Sequence, residues 1–230
     1  MLKNHSFYLL LIIVLFLNAC QKESNVNKGT SKSTASKISL KKIPSSQSKV
    51  TFNNFIKENQ KVHYFIWNFI YQGAGVSIGD INNDGLQDIY FSGNMASDKL
   101  YLNKGNFEFE DISKSSGIED RLWSTGVTMV DINADGFLDI YVCKNFFLLQ
   151  EGVRRNKLFI NNGNSTFTEK AEEYGIGDTG FSIQSNFFDA DNDGDLDLYL
   201  VNQPMDQYAA RLANASSLVN MPFSDKHSAL

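Results

Sequence analysis

Three short stretches of this chain concentrate side-chain oxygens at a fixed spacing. The first places Asp80, Asn82, Asp84 and Asp88; the second Asp131, Asn133, Asp135 and Asp139; the third Asp189, Asp191, Asp193 and Asp197. In each, oxygens recur two residues apart, glycine stands sixth (Gly85, Gly136, Gly194) and a carboxylate closes the run at position nine. Hard oxygen donors in this number suit Ca²⁺, which takes about 6–8 oxygens at about 2.3–2.6 Å. The glycine allows the positive φ that turns the chain around an ion. Without His or Cys among the donors, transition metals are disfavoured. An EF-hand requires Glu at position twelve and flanking helices. Here position twelve is Phe91, Val142 or Leu200, each inside an apolar run. One such segment is readable as an Asp/Asn/Gly turn, but three in register with every donor position filled predict up to three Ca²⁺ sites. The third has four donor carboxylates against three in the others, so it is expected to fill first.

No other group of residues offers chemistry. His5, His63 and His227 share no motif, and no Ser-His-Asp or Cys-His arrangement is supported, so the chain reads as a non-enzyme. Cys143 ends an apolar strand, as a buried structural thiol does. Trp67, Trp123, Tyr64, Phe65 and Tyr71 suggest packing between sheets before a sugar-stacking platform. With Cys20 as the second of two cysteines, no disulfide framework is indicated.

The elements that position the oxygen loops repeat. GVSIGDINNDGLQDIYFSGN from Gly75, GVTMVDINADGFLDIYVCKN from Gly126 and IQSNFFDADNDGDLDLYLVN from Ile183 align. A second block, KLYLNKGNFEFEDISKSSGI from Lys99 and KLFINNGNSTFTEKAEEYGI from Lys157, follows the first two. Within one unit, strands are predicted at 76–79, 89–92, 99–103 and 107–111, the last two joined at Lys104-Gly105-Asn106. Four short strands at a spacing near fifty residues predict an all-β chain of four-stranded antiparallel propeller blades. Residues 169–174 and 205–219 are the two stretches readable as helix.

These motifs resemble the FG-GAP/VCBS repeats, similar to the blades of integrin α-subunit propellers, over about residues 43–204. The likeness extends to large bacterial surface lipoproteins, which often carry a C-terminal domain of the ASPIC/UnbV type. It implies that position seven of each loop, Leu86, Phe137 and Asp195, contributes its backbone carbonyl to the ion. A closed propeller needs at least four blades, and three loop starts are present. The third unit lacks its second hairpin, so an incomplete propeller is expected, with 205–230 as an irregular or helical tail or an insertion. Residues 50–72 resemble the lead-in of that family and are candidates for further strands of the repeat region, 50–204.

The first fifty residues read differently. Lys3 precedes the apolar run Leu9–Leu17, too short to span about 30 Å of hydrocarbon as a helix, and Leu17-Asn18-Ala19-Cys20 follows. This resembles a bacterial lipobox, implying a signal peptide over 1–19 and lipidation at Cys20; Gln21, where an inner-membrane retention Asp would stand, is similar to outer-membrane lipoproteins, and Gln21-Lys22-Glu23 resembles a surface-export signal. Residues 20–49, rich in Ser, Lys, Thr and Asn, form a flexible tether. Seven Lys against Glu23 in that stretch, with Lys3 upstream, leave a net −12 on residues 50–230 within a total of −5. An acidic body argues against nucleic acid and for cations. The leading expectation is a surface module binding an extracellular protein or glycan, its only tie to the membrane a lipid anchor. The alternative is an accessory part of a polysaccharide-degrading system, or the N-terminal portion of a larger enzyme.

Overall fold

The computed structural model of the protein describes residues 39–65, 67–146 and 153–203. The chain divides into two units, Met1–Lys41 and Lys42–Leu230, and the architecture below is that of the second. The leader, Cys20 and the stretch 205–219 lie outside the described residues. One helical turn, α1 (Ser45–Ser48), falls inside the stretch read as tether.

Among the described residues, ten strands make three antiparallel sheets. The first contains β1 (Val76–Gly79), β2 (Asp88–Phe91), β3 (Lys99–Asn103) and β4 (Phe109–Asp111) in chain order. The second contains β5 (Ser124–Val130), β6 (Asp139–Lys144), β7 (Lys157–Asn161) and β8 (Phe167–Glu169), again in chain order. The third pairs β9 (Ser182–Phe188) with β10 (Asp197–Asn202). The expected all-β, blade-like architecture is therefore present as two four-stranded sheets and one two-stranded sheet.

Details differ from the expectation. β4 begins at Phe109 instead of Phe107, because Asn106 (φ 52°) and Phe107 (φ 59°) are left-handed and prolong the turn. Glu169 closes β8 and 171–175 form turns, so no helix follows; Ala171 packs its side chain into the core instead. Among its described residues the lead-in adds no strand, only a 3₁₀ turn at Asn68–Tyr71. It lies against the first sheet: Thr51 donates its N–H to the Tyr101 hydroxyl (3.2 Å), Asn54 pairs with Asn94 (2.7 Å), and Phe52 stacks on Phe91 at 5.0 Å.

The first strands of successive sheets adjoin. Gly75 donates to the Thr125 carbonyl (2.7 Å), and the Thr125 hydroxyl donates to that of Ser182 (2.7 Å). Gly126 is required there, because a Cβ would lie 2.4 Å from the Ile183 carbonyl oxygen. Strand side chains alternate between faces, and the middle sheet uses both. Ile140 and Val142 join Tyr90, Leu100, Ile118 and Val127 in the core shared with the first sheet. Tyr141 and Cys143 face the third sheet, packing near Phe187, Leu198 and Leu200. As a result β6 is buried throughout, whereas the homologous β10 alternates between half-buried and exposed. A third cluster packs Trp67 and Trp123 with Phe146, the last two stacked at 4.9 Å. The tryptophans are thus core residues, while Tyr64, Phe65 and Tyr71 are exposed and lie outside that packing.

Candidate metal-binding loops

Each oxygen loop connects the first two strands of its sheet and closes on itself through its own side chains. In the first, both Asp80 carboxylate oxygens accept backbone N–H bonds, from Asp84 (3.1 Å) and Gly85 (2.7 Å). The second repeats this through Asp131, Asp135 and Gly136 (3.1 and 2.8 Å), and the third through Asp189, Asp193 and Gly194 (3.1 and 3.0 Å). The amide of position seven is held by position five: Leu86 to Asp84 (2.8 Å), Phe137 to Asp135 (2.9 Å) and Asp195 to Asp193 (3.1 Å). Positions four and six are left-handed in all three, with Asn83, Ala134 and Asn192 near +60° and Gly85, Gly136 and Gly194 between 85° and 97°. The backbone therefore curls so that positions one, three and five face inward.

Asn82 and Asp84 come within 3.0 Å through their side chains, as do Asn133 and Asp135 at 2.9 Å. In the third loop an oxygen from each of Asp189, Asp191 and Asp197 lies within 4.8 Å of the others. Three carboxylates that close repel one another, and a hard cation relieves the repulsion. Asp193 and Asp195 interact as well. The Asp195 amide holds the Asp193 carboxyl below its ordinary range, and the side-chain bond to Asp193 pushes the Asp195 carboxyl up. The donor set is oxygen only, and in the third loop three carboxylate oxygens already lie within 4.8 Å of one another, so these residues fit Ca²⁺.

Position nine has a second role that the sequence pattern does not display. Asp88 is buried and accepts N–H bonds from Ile81 (3.0 Å) and from Asn103 on β3 (2.7 Å). Asp139 does the same with Ile132 (3.0 Å) and Asn161 on β7 (2.8 Å). Burial pushes both carboxyls up, against the opposing pull of the two amides. Asp197 accepts from Ala190 (2.9 Å) in its own loop and remains exposed, in a sheet of two strands.

A polar network between sheets also went unread in the sequence. Lys144, fully buried at the end of β6, places Nζ 2.6 Å from the Ser124 hydroxyl, 2.9 Å from Asp120 and 3.5 Å from Asp98. Asp98 also accepts from the Tyr90 hydroxyl (2.9 Å), the Ser124 hydroxyl (2.8 Å) and the Gly93 amide (2.7 Å). Burial raises its carboxyl, and Lys144 pulls the other way. At the next junction Asn156 and Asn202 stand at the positions of Asp98 and Lys144, around Ser182 and Asp178. Comparing repeat with repeat would have revealed this paired exchange. Cys143 is buried and its thiol is pushed up to about 12, which makes it unreactive.

Stacked antiparallel sheets, each opening on an acidic loop between its first two strands, define a propeller-blade repeat protein. The family model for the FG-GAP-like repeat matches residues 80–142 and 146–200, so the chain belongs to that family. It is 32% identical to cartilage acidic protein 1 of Xenopus tropicalis over 137 residues, covering 56% of this chain and 20% of that protein. The proteins of the same name from Mus musculus and Homo sapiens are 36% and 35% identical over 69 residues, 30% of this chain. The chain thus spans a fifth or less of the length of these relatives.

Proposed function

We propose that this chain is a calcium-binding propeller module, displayed at a bacterial cell surface, that acts by binding an extracellular protein or glycan. The observation that carries the calcium reading is the threefold recurrence of one loop geometry. The side chains of Asp80, Asn82 and Asp84, and of their counterparts, turn inward, and the amide of position seven is anchored by position five. Asp88, Asp139 and Asp197 complete the donor sets, with the carbonyls of Leu86, Phe137 and Asp195. The ion's role is structural: it neutralises clustered carboxylates and adds to folded stability whatever its binding free energy exceeds the cost of ordering the loop.

The ligand-binding part of the reading draws on the family and on surface shape. A cleft of about 450 Å³ lies between the lead-in and the first sheet, lined among others by Phe55, Met95, Lys99, Asp111 and Arg121. Aromatic and charged side chains in a cleft of this size suit a small polar ligand or a short segment of a larger one. The lipobox-like segment ending at Cys20 supports a lipid anchor, with 20–49 as tether and the repeats held clear of the membrane. Titration calorimetry of the calcium-free chain tests the central claim: uptake of up to three Ca²⁺ is expected, and no uptake at millimolar Ca²⁺ refutes it. Glycan-array and surface-protein binding, each with and without chelator, test the ligand class, and membrane fractionation of Cys20→Ser tests the anchor.

A further inference from the structure

The first and second loops are joined by side chains that the donor pattern leaves over. Asn83, position four of the first loop, donates its side-chain amide to the Gly136 carbonyl, position six of the second, at 2.9 Å. Asn161, buried at the end of β7, donates its side-chain amide to the Ile81 carbonyl of the first loop (2.8 Å) and to the Leu138 carbonyl of the second (3.1 Å). Its backbone N–H meanwhile holds Asp139. The loops also pack without a gap, since a Cβ on Gly79, the residue before Asp80, would lie 2.6 Å from the Leu138 side chain. Positions two and four of the first loop are therefore tied to positions six, eight and nine of the second, on both sides of Phe137. Between the second and third loops the pattern changes. Ala134 occupies the place of Asn83 with nearly the same backbone (φ 56° against 59°), but it has no side-chain donor.

We propose that the first and second loops bind Ca²⁺ cooperatively, coupled through Asn83 across the seam that Asn161 holds closed, while the third fills independently; this rests on the calcium reading above. An ion in the first loop fixes Asn82 and Asp84, and so fixes Asn83 between them. Asn83 then holds Gly136 in place, so the second ion has less of its loop left to order. Binding that spares the next ligand an ordering cost is positive cooperativity, and it must be reciprocal.

Calorimetry on the full chain carrying Asp193→Ala, which silences the third loop, provides the test. Asp84→Ala or Asp135→Ala added to that background leaves one working loop and yields each single-loop constant. The product of the two macroscopic constants of the intact pair is expected to exceed the product of the single-loop constants by roughly tenfold, within the usual range of allosteric coupling. Asn83→Ala is expected to return that ratio to one while both ions still bind; Ala134 shows that alanine adopts this backbone. A ratio of one in the intact pair overturns the coupling, as does a ratio that survives Asn83→Ala. No uptake by the unsubstituted chain overturns the calcium reading itself, and the coupling with it.

Discussion

Lys144 is the most consequential buried charge among the described residues, and the chain contains its own control for it. Its ammonium contacts Ser124, Asp120 and Asp98 with no solvent exposure. Replacing it by Met leaves Asp98 buried beside Asp120 without a cation. Removing one partner of a buried pair costs about 3–5 kcal/mol. At about 2–4 °C per kcal/mol for a domain of this size, Tm should fall by roughly 6–20 °C. The next junction shows how the same space is filled without the buried aspartate–lysine pair, two asparagines standing in its place beside Asp178. Asn156 bonds the Tyr141 and Ser182 hydroxyls and Asn202 bridges Ser182 and Asp178, as Asp98 and Lys144 do one repeat earlier. The double variant Asp98→Asn/Lys144→Asn should therefore recover most of the loss, since neutral amides and rotatable hydroxyls satisfy one another. Urea denaturation of wild type, Asp98→Asn, Lys144→Asn and the double closes the cycle. If the double is destabilised by the sum of the singles, the charge-compensation reasoning is wrong.

Position nine and the loop tips should separate. Asp139→Asn leaves a backbone N–H facing an amide N–H₂ and should cost about 1–3 kcal/mol even in chelator, by urea denaturation. Asp193→Ala should lower Tm in calcium and change little in chelator; equal losses in both conditions would contradict a metal role. Because burial raises the Asp88, Asp98 and Asp139 carboxyls, their protonated forms favour the folded state. Their contribution is then full below the unfolded carboxyl value of about 3.9 and is lost as pH rises through the raised values. In calcium-free buffer the stability gap between wild type and Asp139→Asn should narrow from pH 3.5 to 6.5, and a widening gap would refute the sign. Gly126→Ala should cost about 1–3 kcal/mol through the clash with the Ile183 carbonyl, whereas Gly79→Ala should cost less, because it meets the mobile ends of Leu138 and Met129. Thermal melts compare the two directly.

Much of this protein was legible in its residue order. The repeated blocks, the alternation of β-branched and aromatic residues and the Asp-x-Asn/Asp-x-Asp-Gly spacing are local, and local spacing determines strands and turns through backbone sterics and hydrogen bonding within a few residues. The loops at 80–88, 131–139 and 189–197 accordingly lie where the strands β1–β2, β5–β6 and β9–β10 turn. What those strands are buried against was decided only by tertiary packing. DIYVCK and DLYLVN read alike, yet the first is sealed between two sheets and the second faces solvent along one side. The same applies to Asp88 and Asp139, whose second partner comes from a strand 15 or 22 residues away, and to Lys144, which meets Asp98 across 46 residues. Burial and charge pairing depend on which surfaces meet in space, and a one-dimensional pattern carries that only where the repeats themselves are compared.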